Sequence, residues 1–175
     1  QDDVDAENCF IFGHSMGGVM APLVAGKHPV KGIVAYGTIG VNFMEYFANS
    51  RRTIAASYEM TPAETDDYIK EQCDCAAMLL SAKLSRANAV KLNPECGNVY
   101  DALLLRSEGF WRQLYAMNIP ANWQQFKGKA LAVWGETDFI STRAEHQYIA
   151  ETVNRYHPGN GTFLEIPNSN HGMHV

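Results

Sequence analysis

The stretch Gly13-His14-Ser15-Met16-Gly17 sets a serine two residues from a glycine on either side, directly after the apolar run Cys9-Phe10-Ile11-Phe12. The spacing G-x-S-x-G suits a nucleophile raised on a sharp strand-to-helix turn. Such a turn holds the serine in a strained backbone conformation, and small neighbours let strand and helix approach. The first helical N–H, that of Met16, is then free to meet a developing oxyanion. A second glycine, Gly18, follows. The competing reading of the same residues is a glycine-rich turn with a capping serine.

A serine hydroxyl is a weak nucleophile without a base, and the base needs a carboxylate to orient it. In a parallel α/β sheet both should lie just beyond C-terminal strand ends. Two stretches qualify. Gly135-Glu136-Thr137-Asp138 follows the apolar run Ala130–Trp134, and Pro167-Asn168-Ser169-Asn170-His171-Gly172 follows Thr162–Ile166. Ser15, Asp138 and His171 therefore run in the chain order Ser, Asp, His. Glu136 competes with Asp138 for the acid and His174 with His171 for the base. His14 adjoins the serine on a sharp turn where neighbouring side chains point apart, so it is expected to line the site near the substrate and not to act as base. His28, His146 and His157 are expected at the surface or at helix ends. The aromatic group Phe110, Trp111 and Tyr115 reads as core between the helical segment and the sheet, with a substrate-facing role as the alternative.

The elements that must position these groups fall into three parts. Residues 1–41 read as strand, helix, strand. The strand is Phe10-Ile11-Phe12, expected buried, and the helix runs from Met16 to Lys27 and stops at His28-Pro29. The second strand is Gly32–Gly37. This is a βαβ unit with parallel strands and a right-handed crossover. Residues 42–126 contain no strand pattern. A helix is expected over Asn42–Tyr58. A second runs from the capping box Thr61-Pro62-Ala63-Glu64 to Leu84, and a third covers Val99–Met117, with a break at Lys91–Glu95. Residues 127–175 return to strand, helix over Arg143–Arg155, turn at Gly159-Asn160-Gly161, and strand. The fold class is α/β, with a mostly parallel sheet of about four strands and an inserted helical segment.

The 175 residues are 46% hydrophobic and 19% charged, with a formal net charge of −5. That suffices for a globular core and argues against nucleic acid or an anionic membrane as partner. No apolar run reaches the roughly 20 residues of a membrane span. The start, Gln1-Asp2-Asp3-Val4-Asp5, has no signal-peptide character. Cys9 reads as a buried thiol. Cys73 or Cys75 could pair with Cys96, or all could be free thiols, so a cytoplasmic and an exported location both agree with the sequence. Zinc is not expected, because no histidine stands near the three clustered cysteines.

On these residues the chain resembles the C-terminal two-thirds of an α/β-hydrolase with a helical cap. The nucleophile elbow matches at Gly13–Gly17, the acid loop Gly-x-x-Asp at Gly135 and Asp138, and the terminal His-Gly at His171 and Gly172. The resemblance implies a partial α/β-hydrolase fold with core residues 1–41 and 127–175 and a cap or lid at 42–126. It implies Ser15 as nucleophile, His171 as general base then acid, Asp138 as orienting carboxylate and Met16 as an oxyanion donor. The aspartate nucleophile of related dehalogenases and epoxide hydrolases does not apply, since the elbow carries serine. The implied activity is hydrolysis of a carboxylic ester without metal or organic cofactor. Peptidase, amidase, thioesterase and acyltransferase chemistry would use the same residues. The family places further strands before the elbow and a closing helix after the histidine. The expectation is therefore that the second oxyanion N–H is missing and that the elbow strand has a bare edge open to association, as in a homodimer. A non-catalytic fragment serving as a binding module is the alternative from another class.

Overall fold

The computed structural model describes residues 5–175, and the chain divides into two compact units, 1–42 with 118–175, and 43–117. In chain order the elements are β1 (Phe10–His14), α1 (Met16–Lys27), β2 (Gly32–Tyr36), α2 (Phe43–Ser57), α3 (Pro62–Leu80) and α4 (Arg86–Leu92). There follow α5 (Cys96–Leu103), α6 (Glu108–Ala116), α7 (Ile119–Gln125), β3 (Lys129–Gly135), α8 (Arg143–Tyr156) and β4 (Gly161–Ile166).

The first unit is built on one sheet in the order β1-β2-β3-β4, parallel throughout. The near-continuous apolar runs of β2 and β3 suit such a sheet. Helices α1 and α8 pack on it, and α7 lies against both of them. Alternation along the strands puts Ile33, Ala35, Ala130 and Ala132 on one buried face. The opposite face is more open. There Phe10 is 63% and Phe12 58% exposed, which corrects the expectation of a buried first strand. β1 is an edge strand of the sheet.

Helix α8 starts at a capping box, Thr142 with Glu145, and buries His146, Ile149, Ala150 and Val153. His146 has no exposed surface, contrary to its expected place at the surface. It stands three, four and seven residues before the buried apolar positions and so belongs to their face.

The second unit is wholly helical. Helix α3 begins at the expected Thr61–Glu64 capping box but ends at Leu80, with Ser81 as its C-cap, not at Leu84. The expected helix over Val99–Met117 is two helices, because the Ser107 side chain caps a new start at Glu108. Helix α4, capped by Ser85, occupies part of the stretch read as a break. Phe43 meets Phe47 and Trp111 in the core of this unit. A disulfide joins Cys75 of α3 to Cys96 of α5, leaving Cys9 and Cys73 as free thiols. The inserted unit ends at Met117 and not at residue 126, because α7 buries Ile119 and Trp123 and packs with α1 and α8.

Among the described residues, no helix is long and apolar enough to cross a membrane.

Candidate active site

Ser15 lies between β1 and α1 at φ 54° and ψ −122°, a conformation that L-residues avoid. Its N–H donates to Tyr36 O at 2.9 Å, and its carbonyl accepts from Gly18 N–H at 3.0 Å, so the turn is held from both sides. The hydroxyl makes no capping bond to the helix, which removes the capping-serine reading. It lies instead 3.1 Å from Nε2 of His171.

The surrounding glycines divide the steric burden unevenly. A Cβ on Gly13 would fall 2.6 Å from Gly17 O, and one on Gly18 would fall 2.5 Å from Thr38 Oγ1. A Cβ on Gly17 would meet nothing within 4 Å. Strand and helix thus require smallness at Gly13 and Gly18, whereas Gly17 contributes its backbone to the contact.

His171 Nδ1 lies 2.9 Å from Asp138 Oδ2. The Asp138 side chain is fully buried, and that of His171 is 22% exposed. Both carboxylate oxygens of Asp138 are satisfied. Oδ1 accepts from the Ile140 N–H at 2.8 Å and the Ser141 N–H at 3.1 Å. Oδ2 accepts from Ser141 Oγ at 2.8 Å as well as from His171. The indole N–H of Trp134 donates to Ser141 O at 3.0 Å and closes this loop onto β3. A carboxylate so surrounded keeps one lone pair aimed at the imidazole. Gly37 lines the pair: it has φ +56°, and a Cβ there would stand 3.1 Å from both Asp138 Oδ2 and His171 Nδ1. Only glycine meets both conditions.

The structure therefore brings Ser15, His171 and Asp138 together. Met16 opens α1, its N–H being the first of the helix. His14, expected near the substrate, has its Nε2 2.7 Å from the carbonyl of His171. Glu136 is exposed and accepts from the Asn168 N–H at 2.9 Å, so it stands outside the Asp138–His171 pair. His174 is also exposed. Among the described residues no group of three or more His, Cys, Asp and Glu side chains is arranged to hold a metal.

Sequence reasoning considered the strand ends after β3 and β4 but not the one after β2, and so missed Tyr36 and Gly37. The Tyr36 hydroxyl donates to Asn170 O at 2.6 Å and lies 2.9 Å from Ser169 Oγ. His146 was missed too. Its Nδ1–H donates to Thr142 O at 2.8 Å, and its Nε2 accepts from the Thr38 N–H at 3.0 Å, a pattern that only one neutral tautomer satisfies. Burial holds its pKa below the ordinary histidine range, against opposing contributions from the Thr142 carbonyl and Asp138. The ring thereby ties the segment following Gly37 to the start of α8.

The four parallel strands with their flanking helices are those of part of an α/β-hydrolase fold. The chain is similar in structure to a monoacylglycerol lipase of Paleococcus ferrophilus, with a TM-score of 0.51 and 18% identity over 94% of this chain and 60% of that one. Weaker likenesses include a thermophilic esterase of Thermogutta terrifontis (TM-score 0.48, 18% identity, 94% and 58% covered). Another is a meta-cleavage product hydrolase of Pseudomonas fluorescens IP01 (0.49, 17%, 97% and 60%). The chain spans about three-fifths of the length of these proteins. No protein-family model and no curated protein matches the sequence.

Proposed function

We propose that this chain carries the catalytic residues of a serine hydrolase that cleaves carboxylic esters through an acyl-serine intermediate. One observation carries the reading: Ser15 sits at positive φ with its hydroxyl 3.1 Å from His171 Nε2, whose Nδ1 is 2.9 Å from Asp138. In this mechanism His171 Nε2 takes the hydroxyl proton as Ser15 Oγ bonds to the ester carbonyl carbon. The negative oxygen that results is met by the Met16 N–H at the head of α1. Collapse breaks the bond to the alcohol oxygen, which leaves with the proton from Nε2. Water then attacks the acyl carbon, gives a proton to Nε2, and Ser15 is released with its hydroxyl restored. Asp138 accepts from Nδ1–H throughout and stabilises the imidazolium that forms between steps. The name of the lipase above supports an ester over an amide.

The test is covalent labelling with a fluorophosphonate probe, comparing the wild-type protein with Ser15→Ala. Label on the wild type that disappears in Ser15→Ala is the expected result, and an unlabelled wild type overturns the proposal. Turnover of p-nitrophenyl esters of graded chain length against a p-nitroanilide decides between ester and amide.

A further inference from the structure

Residues 167–175, the segment after β4, include neither helix nor strand, yet they carry the proposed base. Four successive carbonyls of this segment are each held from outside it. Thr137 Oγ1 donates to Asn168 O at 3.4 Å, and the Thr137 N–H to Ser169 O at 2.9 Å. Tyr36 OH donates to Asn170 O at 2.6 Å, and His14 Nε2 lies 2.7 Å from His171 O. A carbonyl oxygen only accepts, so His14 carries its proton on Nε2. The His14 ring also lies against the His171 ring, with centroids 5.0 Å apart.

We infer that His14 is a positioning residue for the base His171, acting through the backbone carbonyl of His171. The inference rests on the proposed role of His171. His14 and Ser15 are neighbours in the chain, which closes a ring of contacts. Ser15 Oγ meets the His171 imidazole, the His171 carbonyl meets the His14 imidazole, and the His14–Ser15 peptide joins the two ends. One dipeptide therefore sets both the height of the nucleophile and the place of its base. A displacement of 1 Å at such a site costs about 10²-fold in rate. With Nε2 engaged by the carbonyl and one ring face against His171, His14 is committed to the base and not to a substrate.

The test compares His14→Leu with His14→Gln, whose amide N–H can reach the same carbonyl. The measurements are ester turnover, the rate of fluorophosphonate labelling, and the low-field proton resonance of His171 Nδ1–H. In His14→Leu the expected result is a fall of about 10²-fold in kcat and labelling rate, with KM within about twofold and the resonance shifted or broadened. His14→Gln should recover most of the rate and the wild-type resonance. Tyr36→Phe, which frees the neighbouring Asn170 carbonyl, should change rate and resonance in the same direction, and it serves if His14→Leu does not fold. Wild-type rate and resonance in His14→Leu overturn the inference. So does a folded His14→Gln as impaired as His14→Leu, or a raised KM with unchanged kcat, which would return His14 to substrate binding. If the wild type takes no label, the hydrolase proposal fails, and the resonance still decides whether His14 places His171.

Discussion

Replacing Asp138 with asparagine exchanges one carboxylate oxygen for an NH2 of the same shape, and the surroundings dictate which oxygen is lost. Oδ1 accepts from two backbone donors, Ile140 N–H and Ser141 N–H, so an NH2 cannot take its place and the amide oxygen must. The NH2 then stands where Oδ2 was, 2.9 Å from His171 Nδ1. The Ser141 hydroxyl, 2.8 Å from the same point, can turn to accept, so nothing opposes this orientation. Nδ1 must now accept, the ring proton moves to Nε2, and Nε2 donates towards Ser15 Oγ, from which the proposed mechanism has it take a proton. The imidazolium of that proposed mechanism also loses its anion. A wrong tautomer of this kind costs up to about 10⁴-fold in kcat, or about 5.4 kcal/mol at 1.36 kcal/mol per factor of ten. Steady-state ester turnover near neutral pH measures the loss, labelling of Ser15 follows it independently, and a melting curve checks that the variant folds. Glu136→Gln is the matched comparison, because Glu136 is exposed and engaged with Asn168, and it should stay within a few-fold of wild type. The reasoning is refuted if folded Asp138→Asn retains activity within about tenfold of wild type, and a large loss in Glu136→Gln alone would move the acid to that residue.

The glycines around the serine should respond unequally. Gly13→Ala drives a Cβ to 2.6 Å from Gly17 O and should cost about 1–3 kcal/mol of stability, together with most labelling of Ser15, whereas Gly17→Ala meets nothing within 4 Å and should be labelled at close to the wild-type rate. Equal damage at both positions would show that the open space at Gly17 is needed by the reaction. His146 should make stability depend on pH. Its native pKa lies below the ordinary 6.5, so as pH falls through that value the unfolded chain takes up a proton that the native ring refuses. The contribution is fully present above 6.5 and is lost progressively towards the native value. Urea midpoints should therefore fall on acidification, and the difference between wild type and His146→Gln should narrow as they do. A difference that stays constant with pH would remove His146 from the account.

Ser15, Asp138 and His171, which the structure brings together, were legible because each is marked by local chemistry: glycines about a serine, Gly-x-x-Asp after an apolar run, and His-Gly after another. The four strands were legible for a similar reason, as short apolar runs bounded by turn residues. What local pattern did not disclose was strand burial. Phe10 and Phe12 have the composition of a core strand, but burial depends on what packs against a face, and β1 lies at the sheet edge. The division of α5 from α6 was readable in principle, since Ser107-Glu108 starts a helix by the same capping logic as Ser85-Arg86. The aromatic periodicity across 99–117 hid it. His146 was also within reach. Its spacing to Ile149, Ala150 and Val153 places it on a buried face, and only the prior that histidines are polar sent it to the surface.

The clamp on His171 is different in kind, because it exists only once strands are paired. β1 and β2 pair with His14 opposite Tyr36, their rings 5.9 Å apart, so the two side chains project from neighbouring strand ends on one face. That face meets the segment following β4, where the Asn170 carbonyl accepts from Tyr36 and the His171 carbonyl from His14. A register slip of one residue between β1 and β2 would turn one ring to the far side of the sheet and release one carbonyl. The serine can be found from five residues read alone. The distance from its hydroxyl to His171 depends on a pairing between residues 14 and 36, and through it on the whole order of the sheet.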